Sequence, residues 1–471
     1  MKNKKFRLGT YTAVTTVIVI VIAVVLNMLV NALPTKFTQF DMSSDDLYTI
    51  GEQTKKIVEG LDEEVTIYWI VQDGYEDKAV EKLLINYEEL NKNIKIEKID
   101  PVVNPNFAYQ YTSDDIYNNS LVVANADQSR TRYIGYYEIY TITYDQNYTE
   151  QSSFGGEAEL TSAINYVSSD RFTFVYYLTG HGETALPTEF VETLKKENIT
   201  VMELNLLSEG KVPEECEALI IHSPETDLSS RDSEMIAQYL EEGGSMLLLT
   251  DCSDNNMPNL NGVMSEYGVS AVDGMLIEGD GNYCLGGYAN YLLPQMGAHE
   301  ITDPLISKGY HIIAPMAQGI DVSDTLDENT TVTKLLNTSN LAYSKLSGVN
   351  TDSIEKEEGD IESEDGFAIG VAVERTTDSA ETRIVWLSSY HLINAQIDSM
   401  SAGANGDLAV NSIGWMCDLE ESISIRAKDI EYEYLNLTAA ETGRWTLIMV
   451  AIIPLLFVIA GVTVWLRRRK L

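Results

Sequence analysis

The chain has 471 residues, 44% of them hydrophobic, so it can bury sizeable cores and wholesale disorder is excluded. Its 32 Lys and Arg stand against 72 Asp and Glu, and the net charge of −40 argues against nucleic acid as a partner, because phosphate binding needs clustered cations. Four Cys in so long a chain exclude a disulfide-dense scaffold.

The first predicted element is a transmembrane helix over residues 11–33, preceded by a basic tail over residues 1–10. No charged residue occurs from Leu8 to Thr35, and a helix needs about 20 apolar residues to cross a bilayer core. The alternative is a cleaved signal peptide with its site near Val30-Asn31-Ala32. The apolar stretch is long for a signal peptide, so we predict an anchor.

Residues 41–168 are predicted to form a thioredoxin-like ectodomain, because their hydrophobic patterns follow a β-α-β-β-β order closed by a helix. The position where that fold would carry Cys-x-x-Cys reads Gln72-Asp73-Gly74-Tyr75, so redox chemistry is not expected. The predicted elements are helices at Glu52–Glu59, Glu76–Asn91 and Glu157–Val167 and strands at Val65–Val71, Ile94–Ile99, Leu121–Ala124 and Arg132–Ile134.

Residues 171–440 are predicted to form a flavodoxin- or amidotransferase-like α/β ectodomain, because alternating strands and helices indicate right-handed βαβ units and a parallel sheet. The strand Phe172–Leu178 is apolar throughout and is expected to be central in that sheet. The other expected strands are Ile199–Leu204, Ala218–His222, Ser245–Thr250, Gly366–Glu374, Thr382–Ser388 and Ile423–Ile425, and the expected helices are Thr188–Glu197, one from the Ser229 cap to Glu241, and Gly406–Met416.

Between two of these strands, Glu355–Asp365 holds seven acids and one Lys and is predicted to be a solvated loop.

A second transmembrane helix is predicted over residues 445–466, followed by a basic tail over residues 467–471. Basic clusters flank both helices, which places both termini in the cytoplasm and the region between them outside the plasma membrane. The eight terminal Lys and Arg leave 24 in that region against all 72 acids, a net charge of about −48. Pro454 lies in mid-helix, where the kink suggests packing against membrane partners or an isolated kinked anchor.

No catalytic, metal or cofactor site is predicted. Cys252 follows an apolar strand where a nucleophile elbow would lie, but Asp251 and Asp254 flank it and acidic neighbours disfavour a thiolate. The other Cys and the dispersed His show no metal-ligand spacing. The sequence contains no Gly-x4-Gly-Lys-Ser/Thr motif, so the chain cannot power transport by itself.

The turn Thr179–Glu183 is the one candidate ligand- or partner-binding site, through Gly180, His181, Gly182 and Glu183. It follows the first strand of the predicted parallel sheet, and ligands usually bind beyond the carboxyl ends of such strands. The two glycines allow a tight turn or a close approach. The alternative is a purely structural turn.

Several segments together resemble the GldG-like auxiliary proteins of ABC-type transport systems, named after a gliding-motility component. The segments that carry this resemblance are Asp41–Ile67, Gly156-Glu157, Tyr176–Glu183, Glu242-Gly243-Gly244, Asn259-Leu260, Tyr267-Gly268-Val269, Arg383-Ile384-Val385, Gly406-Asp407-Leu408, Asn411–Trp415 and Ile453–Leu456 with the Arg467–Lys470 cluster.

The resemblance implies a non-catalytic, membrane-anchored subunit that works with a multi-span permease and a P-loop ATPase. It also implies an amidotransferase-like ectodomain without catalytic residues, binding cargo or partner proteins. Relatives tend to have His before Pro304, whereas this chain has Asp303, so a site built on that His does not carry over. The alternatives are a structural envelope or motility protein, and a surface hydrolase acting through His181.

The predicted topology can be tested by labelling single Cys probes from outside the cell. A probe near Ser363 should react and one near Lys4 should not, because basic flanks stay in the cytoplasm. Reaction at both positions, or at Lys4 alone, would contradict two spans with both termini inside.

Overall fold

The computed structural model describes residues 49–144, 150–169, 171–252, 257–347, 354–377, 379–419, 428–430 and 446–469, with isolated positions 17, 18, 21, 22, 25 and 444. The chain divides into two compact units. The larger comprises residues 48–141 and 155–427, and the smaller comprises residues 1–47, 142–154 and 428–471. Each unit is described by itself.

The first part of the chain forms short strands between amphipathic helices. Its elements in order are α1 (Glu52–Glu59), β1 (Val65–Ile70), α2 (Lys78–Leu90), β2 (Ile94–Ile99), a 3-10 turn (Ala108–Gln110), β3 (Ser120–Asn125), β4 (Thr131–Ile134), α3 (Tyr136–Ile139), β5 (Tyr140–Tyr144), β6 (Glu150–Phe154) and α4 (Gly156–Ser168).

Four of these strands form a mixed sheet in the order β2-β1-β3-β4. Strands β1 and β2 are parallel, whereas β3 is antiparallel to both β1 and β4. Helix α1 and strand β2 lie at the predicted residues. Helix α2 begins later than predicted, because Asp77 Oδ1 accepts bonds from the backbone N–H groups of Ala79 at 2.9 Å and Val80 at 3.1 Å and so caps it.

Glu157, on α4, is the buried polar centre of this layer, and only 4% of the residue is exposed. Its Oε1 accepts the backbone N–H of Gly51 at 2.7 Å and the Thr54 hydroxyl at 2.8 Å, at the start of α1. The Tyr87 hydroxyl of α2 donates to the Glu157 carbonyl at 3.1 Å. Burial raises the pKa of Tyr87, so its hydroxyl keeps its proton and remains a donor. One glutamate thereby joins three helices.

The second part of the chain alternates strands and helices and then becomes strand-rich. Its elements are β7 (Thr173–Leu178), α5 (Thr188–Lys196), β8 (Ile199–Leu204), α6 (Leu206–Glu209), β9 (Ala218–His222), α7 (Ser230–Glu241), β10 (Met246–Leu249), α8 (Pro258–Glu266), β11 (Val269–Val272), β12 (Met275–Ile277), β13 (Cys284–Leu285), β14 (Tyr288–Leu292), β15 (Gln295–Met296), α9 (Asp303–Ser307), β16 (Ala314–Pro315), β17 (Gly319–Val322), β18 (Thr330–Asn337), β19 (Tyr343–Lys345), β20 (Ile361–Glu362), β21 (Ala368–Thr376), β22 (Glu381–Leu387), a 3-10 turn (Tyr390–Ile393), α10 (Ala395–Met400) and α11 (Ala404–Met416).

A ten-stranded sheet organises this part, with the main order β11-β17-β21-β22-β10-β9-β7-β8. The expected parallel arrangement holds from β8 through β7, β9 and β10 to β22. It is wrong for the other half, where β21 is antiparallel to β22, β17 and β18. Strands β21 and β22 are joined by a tight turn in which the N–H of Thr377 bonds the Ala380 carbonyl at 2.8 Å, and so short a connection cannot form a crossover.

Strand β7 is paired on both sides, by β8 and β9, and β8 is the edge strand. Strand β7 is therefore an interior strand of the sheet, as expected, although it lies next to the edge. Apolar side chains cover the two faces of the sheet, with Leu247 and Val385 in one cluster and Leu248 and Trp386 in the other. Alternate residues of strand β10 therefore pack into opposite cores, and this explains why its sequence is apolar at every position.

The acidic segment Glu355–Asp365 is largely exposed, as predicted, but a buried lysine pairs with two of its acids. The fully buried ammonium group of Lys345, on β19, lies 3.4 Å from Glu357 Oε2 and 3.6 Å from Asp360 Oδ2, and it donates to the Glu355 carbonyl at 2.6 Å. Backbone N–H donors and Lys345 lower the pKa of Asp360 although partial burial opposes them. The buried cation therefore fixes one end of an otherwise solvated loop.

The smaller unit contains a three-stranded sheet in the order β23-β6-β5, where β23 is Lys428–Ile430, and one long apolar helix. That helix begins with a π-helical turn at Leu447–Ile452 and continues as α12 (Ile453–Arg469). Residues Leu447–Arg467 are long and apolar enough to cross a membrane, with a mean hydropathy of 2.9. The predicted helix at residues 11–33, apart from a few isolated positions, and the predicted strand Ile423–Ile425 lie outside the described residues.

Replacing Glu157 should destabilise the protein. In Glu157→Ala the Gly51 N–H and the Thr54 hydroxyl lose their buried acceptor, which we expect to cost about 1–3 kcal/mol of unfolding free energy. Thermal melting of the purified full chain measures it. Glu88→Ala, at an exposed glutamate on α2, is the matched control and should melt like the wild type. If Glu157→Ala and Glu88→Ala melted at the same temperature, the hydrogen bonds of the Glu157 side chain would contribute nothing to stability.

Candidate functional site

The candidate turn lies at the carboxyl edge of the parallel half of the ten-stranded sheet. Strand β7 ends at Leu178, and the chain turns through Thr179–Glu183 before reaching α5. At the same edge, β9 ends at His222 and β22 is followed by Tyr390. Parallel strands all deliver their carboxyl ends to one edge, so groups distant in sequence meet here.

The His181 ring is held between two carboxylates. Its Nδ1 lies 2.9 Å from Glu183 Oε1, and its Nε2 lies 3.1 Å from Asp232 Oδ2. Only 11% of the His181 side chain, 3% of Glu183 and 12% of Asp232 are exposed. With both carboxylates ionised, both contacts are hydrogen bonds only when the ring carries two protons. The imidazole that the sequence singled out is therefore already fully engaged within the chain.

Asp232 was not predicted as a member of this cluster. It lies in the first turn of helix α7, where its N–H bonds Ser229 Oγ at 3.1 Å and its Oδ2 accepts the Ser229 hydroxyl at 2.7 Å. The sequence indicated these residues only as a helix cap. Since Asp232 lies 51 residues from His181, nothing in the local pattern could have linked them.

His222 forms a second tie at this edge. Its Nδ1 lies 2.8 Å from the Thr184 carbonyl, and the Thr184 N–H bonds the His222 carbonyl at 3.0 Å. Its Nε2 lies 3.4 Å from the Tyr390 carbonyl. Burial lowers the pKa of His222, which favours the neutral ring at neutral pH. A neutral ring has a single N–H, and the nearer acceptor is the Thr184 carbonyl, so this ring joins the segment that follows β7 to the end of β9.

The two glycines of the turn have conformations that suit glycine. Gly180 has φ +122° and Gly182 has φ +77°. A Cβ at Gly182 would also lie 2.9 Å from Glu225 Cβ, so a side chain there would collide with the next loop. Both glycines are exposed, as are Thr184, Ala185 and Glu225. The exposed surface around this turn, which we call the rim, therefore consists mainly of backbone and small side chains.

Cys252 follows β10 at the same edge and packs in an apolar cluster. It is 4% exposed and packs with Met275, Ile277 and Tyr343. Elsewhere in the chain, burial raises the pKa of the Cys216 thiol to about 11 and raises that of Cys417 as well. Within the part of the chain that the structure describes, no three His, Cys, Asp or Glu side chains are grouped to hold a metal.

Two cavities lie along helices α1 and α11, with volumes of about 660 Å³ and about 760 Å³. Gln53, Lys56, Gly414 and Leu419 line both. Asp303 lines the larger one. None of the four candidate residues of the turn lines either cavity, so the cavities and the predicted site are separate features.

The contacts of His181 predict that His181→Ala lowers the melting temperature. The change leaves two largely buried carboxylates without their common donor, at an expected cost of about 1–3 kcal/mol. Adding Asp232→Asn should restore part of the loss, because it removes one of the two charges. His311→Ala, at an exposed histidine, is the control. Two results would contradict the role of the His181–Asp232 contact. One is a His181→Ala variant as stable as the wild type, and the other is a double variant no more stable than His181→Ala.

Two family models match the chain. One, described as an ABC-type uncharacterized transport system, matches residues 174–412, and a domain of unknown function matches residues 44–140. A comparison with curated proteins finds no match.

Solved structures give only distant likenesses. The mmIFT52 N-terminal domain is 13% identical with a TM-score of 0.39, over 52% of this chain and 97% of that one. PurLQS from Thermotoga maritima is 13% identical with a TM-score of 0.27, over 52% and 98%. The NTD_N/C domain of the alkylhydroperoxide reductase AhpF from Enterococcus faecalis is 13% identical with a TM-score of 0.20, over 34% and 79%. At these scores the likenesses carry no argument.

The family match covers the candidate turn and the whole parallel half of the sheet. It confirms the resemblance carried by the segments from Tyr176 to Trp415, because GldG-like proteins belong to the same family. The chain is thus a member of the family of auxiliary components of ABC-type transport systems.

Proposed function

We propose that this protein is a non-catalytic, membrane-anchored accessory subunit of an ABC-type transport complex. The observation that carries the proposal is the family match over residues 174–412, joined in one chain to an apolar helix long enough to span a membrane. The sequence has no P-loop, so the energy for transport comes from a separate ATPase subunit, and a multi-span permease forms the path.

The proposed topology has two spans, with both termini in the cytoplasm and the folded domains outside the plasma membrane. The basic clusters Lys2–Arg7 and Arg467–Lys470 support it. We also propose a thioredoxin-like fold for residues 41–168, which the sheet order β2-β1-β3-β4 supports, and an amidotransferase-like fold for residues 171–440, which the five parallel strands support.

The state of the carboxyl edge supports a role without catalysis. A general base must reach a proton of its substrate, and a nucleophile needs an activating base. His181 and His222 instead bond groups of their own chain, and Cys252 lies among apolar side chains. Binding is the function that such an edge can still perform.

We propose the rim around Thr179–Glu183 as the contact surface for cargo or a partner subunit. Gly180, Gly182, Thr184 and Ala185 are exposed, and the bonds of His181 and His222 hold their backbone in place. A rigid surface loses little conformational entropy on binding, which favours recognition. In this role the imidazole positions the turn, and the backbone beside it meets the partner.

The test is affinity purification of the tagged full chain from native membranes. We expect a P-loop ATPase and a multi-span permease to co-purify, and their absence would contradict the accessory role. Thr184→Arg should reduce recovery of the contact partner by about tenfold or more, because a bulky cation then fills the rim. Thr325→Arg, at another exposed threonine, is the matched control. Equal recovery from both variants would exclude the rim but leave the accessory role standing.

A further inference from the structure

A cluster of tyrosines lies at the surface of the N-terminal layer, beside the loop that follows β1. The side chains of Tyr75 and Tyr137 are 63% exposed and that of Tyr117 is 42% exposed. The Tyr117 and Tyr137 rings lie edge to face at 4.9 Å, and Tyr136 lies 5.9 Å from Tyr137. Single exposed apolar residues are common, but a contiguous group of aromatic rings marks a surface for binding. We call the three neighbouring rings of Tyr117, Tyr136 and Tyr137, together with the exposed Tyr75 of the adjacent loop, the tyrosine patch.

Two asparagines hold the loop that carries Tyr75 in place through hydrogen bonds. The buried Asn119 accepts the Trp69 indole N–H at 3.2 Å and the Asp77 N–H at 2.9 Å, and donates to the Tyr75 carbonyl at 3.0 Å. Asn118 Oδ1 accepts the Gln72 N–H at 2.9 Å. These bonds hold the loop against the segment that bears Tyr117.

The other side of the patch is fixed through Tyr140. Its hydroxyl donates to Asp77 Oδ1 at 2.9 Å, and its ring lies 5.1 Å from that of Tyr136. The patch is thus preorganised, because its backbone segments are bonded to one another without any partner.

The charges around the patch are mainly negative. The segments 72–77, 109–117 and 136–138 contain six acids and no Lys or Arg, while Lys78 directly follows the first segment and Arg132 and Lys196 lie near Glu138. Lys98, from β2, reaches this region, but it is paired with Asp73 at 2.6 Å and with Glu76. Asp73, Asp114 and Asp115 are exposed. Aromatic faces with neighbouring carboxylates attract cations, both through the ring quadrupole and through charge.

We propose that the tyrosine patch is a second docking surface, which binds a Lys- or Arg-bearing segment of a partner protein. Guanidinium and ammonium groups stack on tyrosine rings and pair with the carboxylates beside them. Tyrosine is also enriched at protein interfaces, because it supplies large contact area with few rotatable bonds. The negative charge of this surface disfavours anionic lipid headgroups as the occupant. The proposal goes beyond the accessory role and does not use the rim.

The test measures binding of a fluorescent peptide of alternating Gly and Arg to the purified full chain by anisotropy. We expect saturable binding that weakens as salt rises from about 0.1 M to about 0.5 M. Tyr75→Ala with Tyr137→Ala should raise the Kd about tenfold, because two ring contacts are lost. Tyr288→Ala, at a tyrosine that is 68% exposed on β14, should not change it. Thermal melting of each variant establishes that it folds.

Three outcomes would overturn the proposal: no binding of the Arg peptide, equal binding of a Gly-Glu peptide, or a Kd that the tyrosine variants do not change. In native membranes, a photoreactive phenylalanine analogue at position 137 should cross-link to a Lys- or Arg-bearing segment of a partner, mapped by mass spectrometry. Cross-links confined to lipid or to acidic segments would count against it. If these tests fail while the ATPase still co-purifies normally, the patch is refuted and the accessory role stands.

Discussion

Two histidine rings hold together chain segments at the carboxyl edge of the ten-stranded sheet, and the larger unit depends on these bonds. His181 connects the turn after β7 to the start of helix α7, and His222 connects the same turn to the end of β9. Buried polar groups must find partners, and here each ring finds them in distant parts of the chain. Within the described residues, both histidines at this carboxyl edge, where sheets of this kind commonly bind ligands, therefore bond groups of their own chain.

Membership in the family of transport auxiliary components fits a non-enzymatic accessory role. Two histidines at the carboxyl edge serve the structure of the chain itself. The family match places the chain with transport systems, and the excess of acids keeps so large a surface soluble. In the role that we propose, recognition depends on shape, on exposed backbone and on aromatic surface.

Local elements could be predicted from the sequence, and long-range contacts could not. Helix α1 and strands β2, β8 and β9 lie at the predicted residues, because periodicity and capping residues are local signals. The pairing of His181 with Asp232 joins positions far apart in sequence, and the local pattern carries no trace of it. The antiparallel half of the sheet was missed for a related reason, since strand direction depends on the connection and not on the strand's own residues.

The π-helical turn at Leu447–Ile452 has a consequence for how the apolar helix meets its neighbours. An α-helix advances about 100° per residue, so a turn that holds one residue more rotates everything beyond it by about that angle. Pro454, two residues later, contributes no N–H where the wider turn ends. The side chains of Leu447–Ile452 therefore follow a different angular spacing from those of Ile453–Arg469. One straight neighbouring helix cannot pack against both segments in a single register.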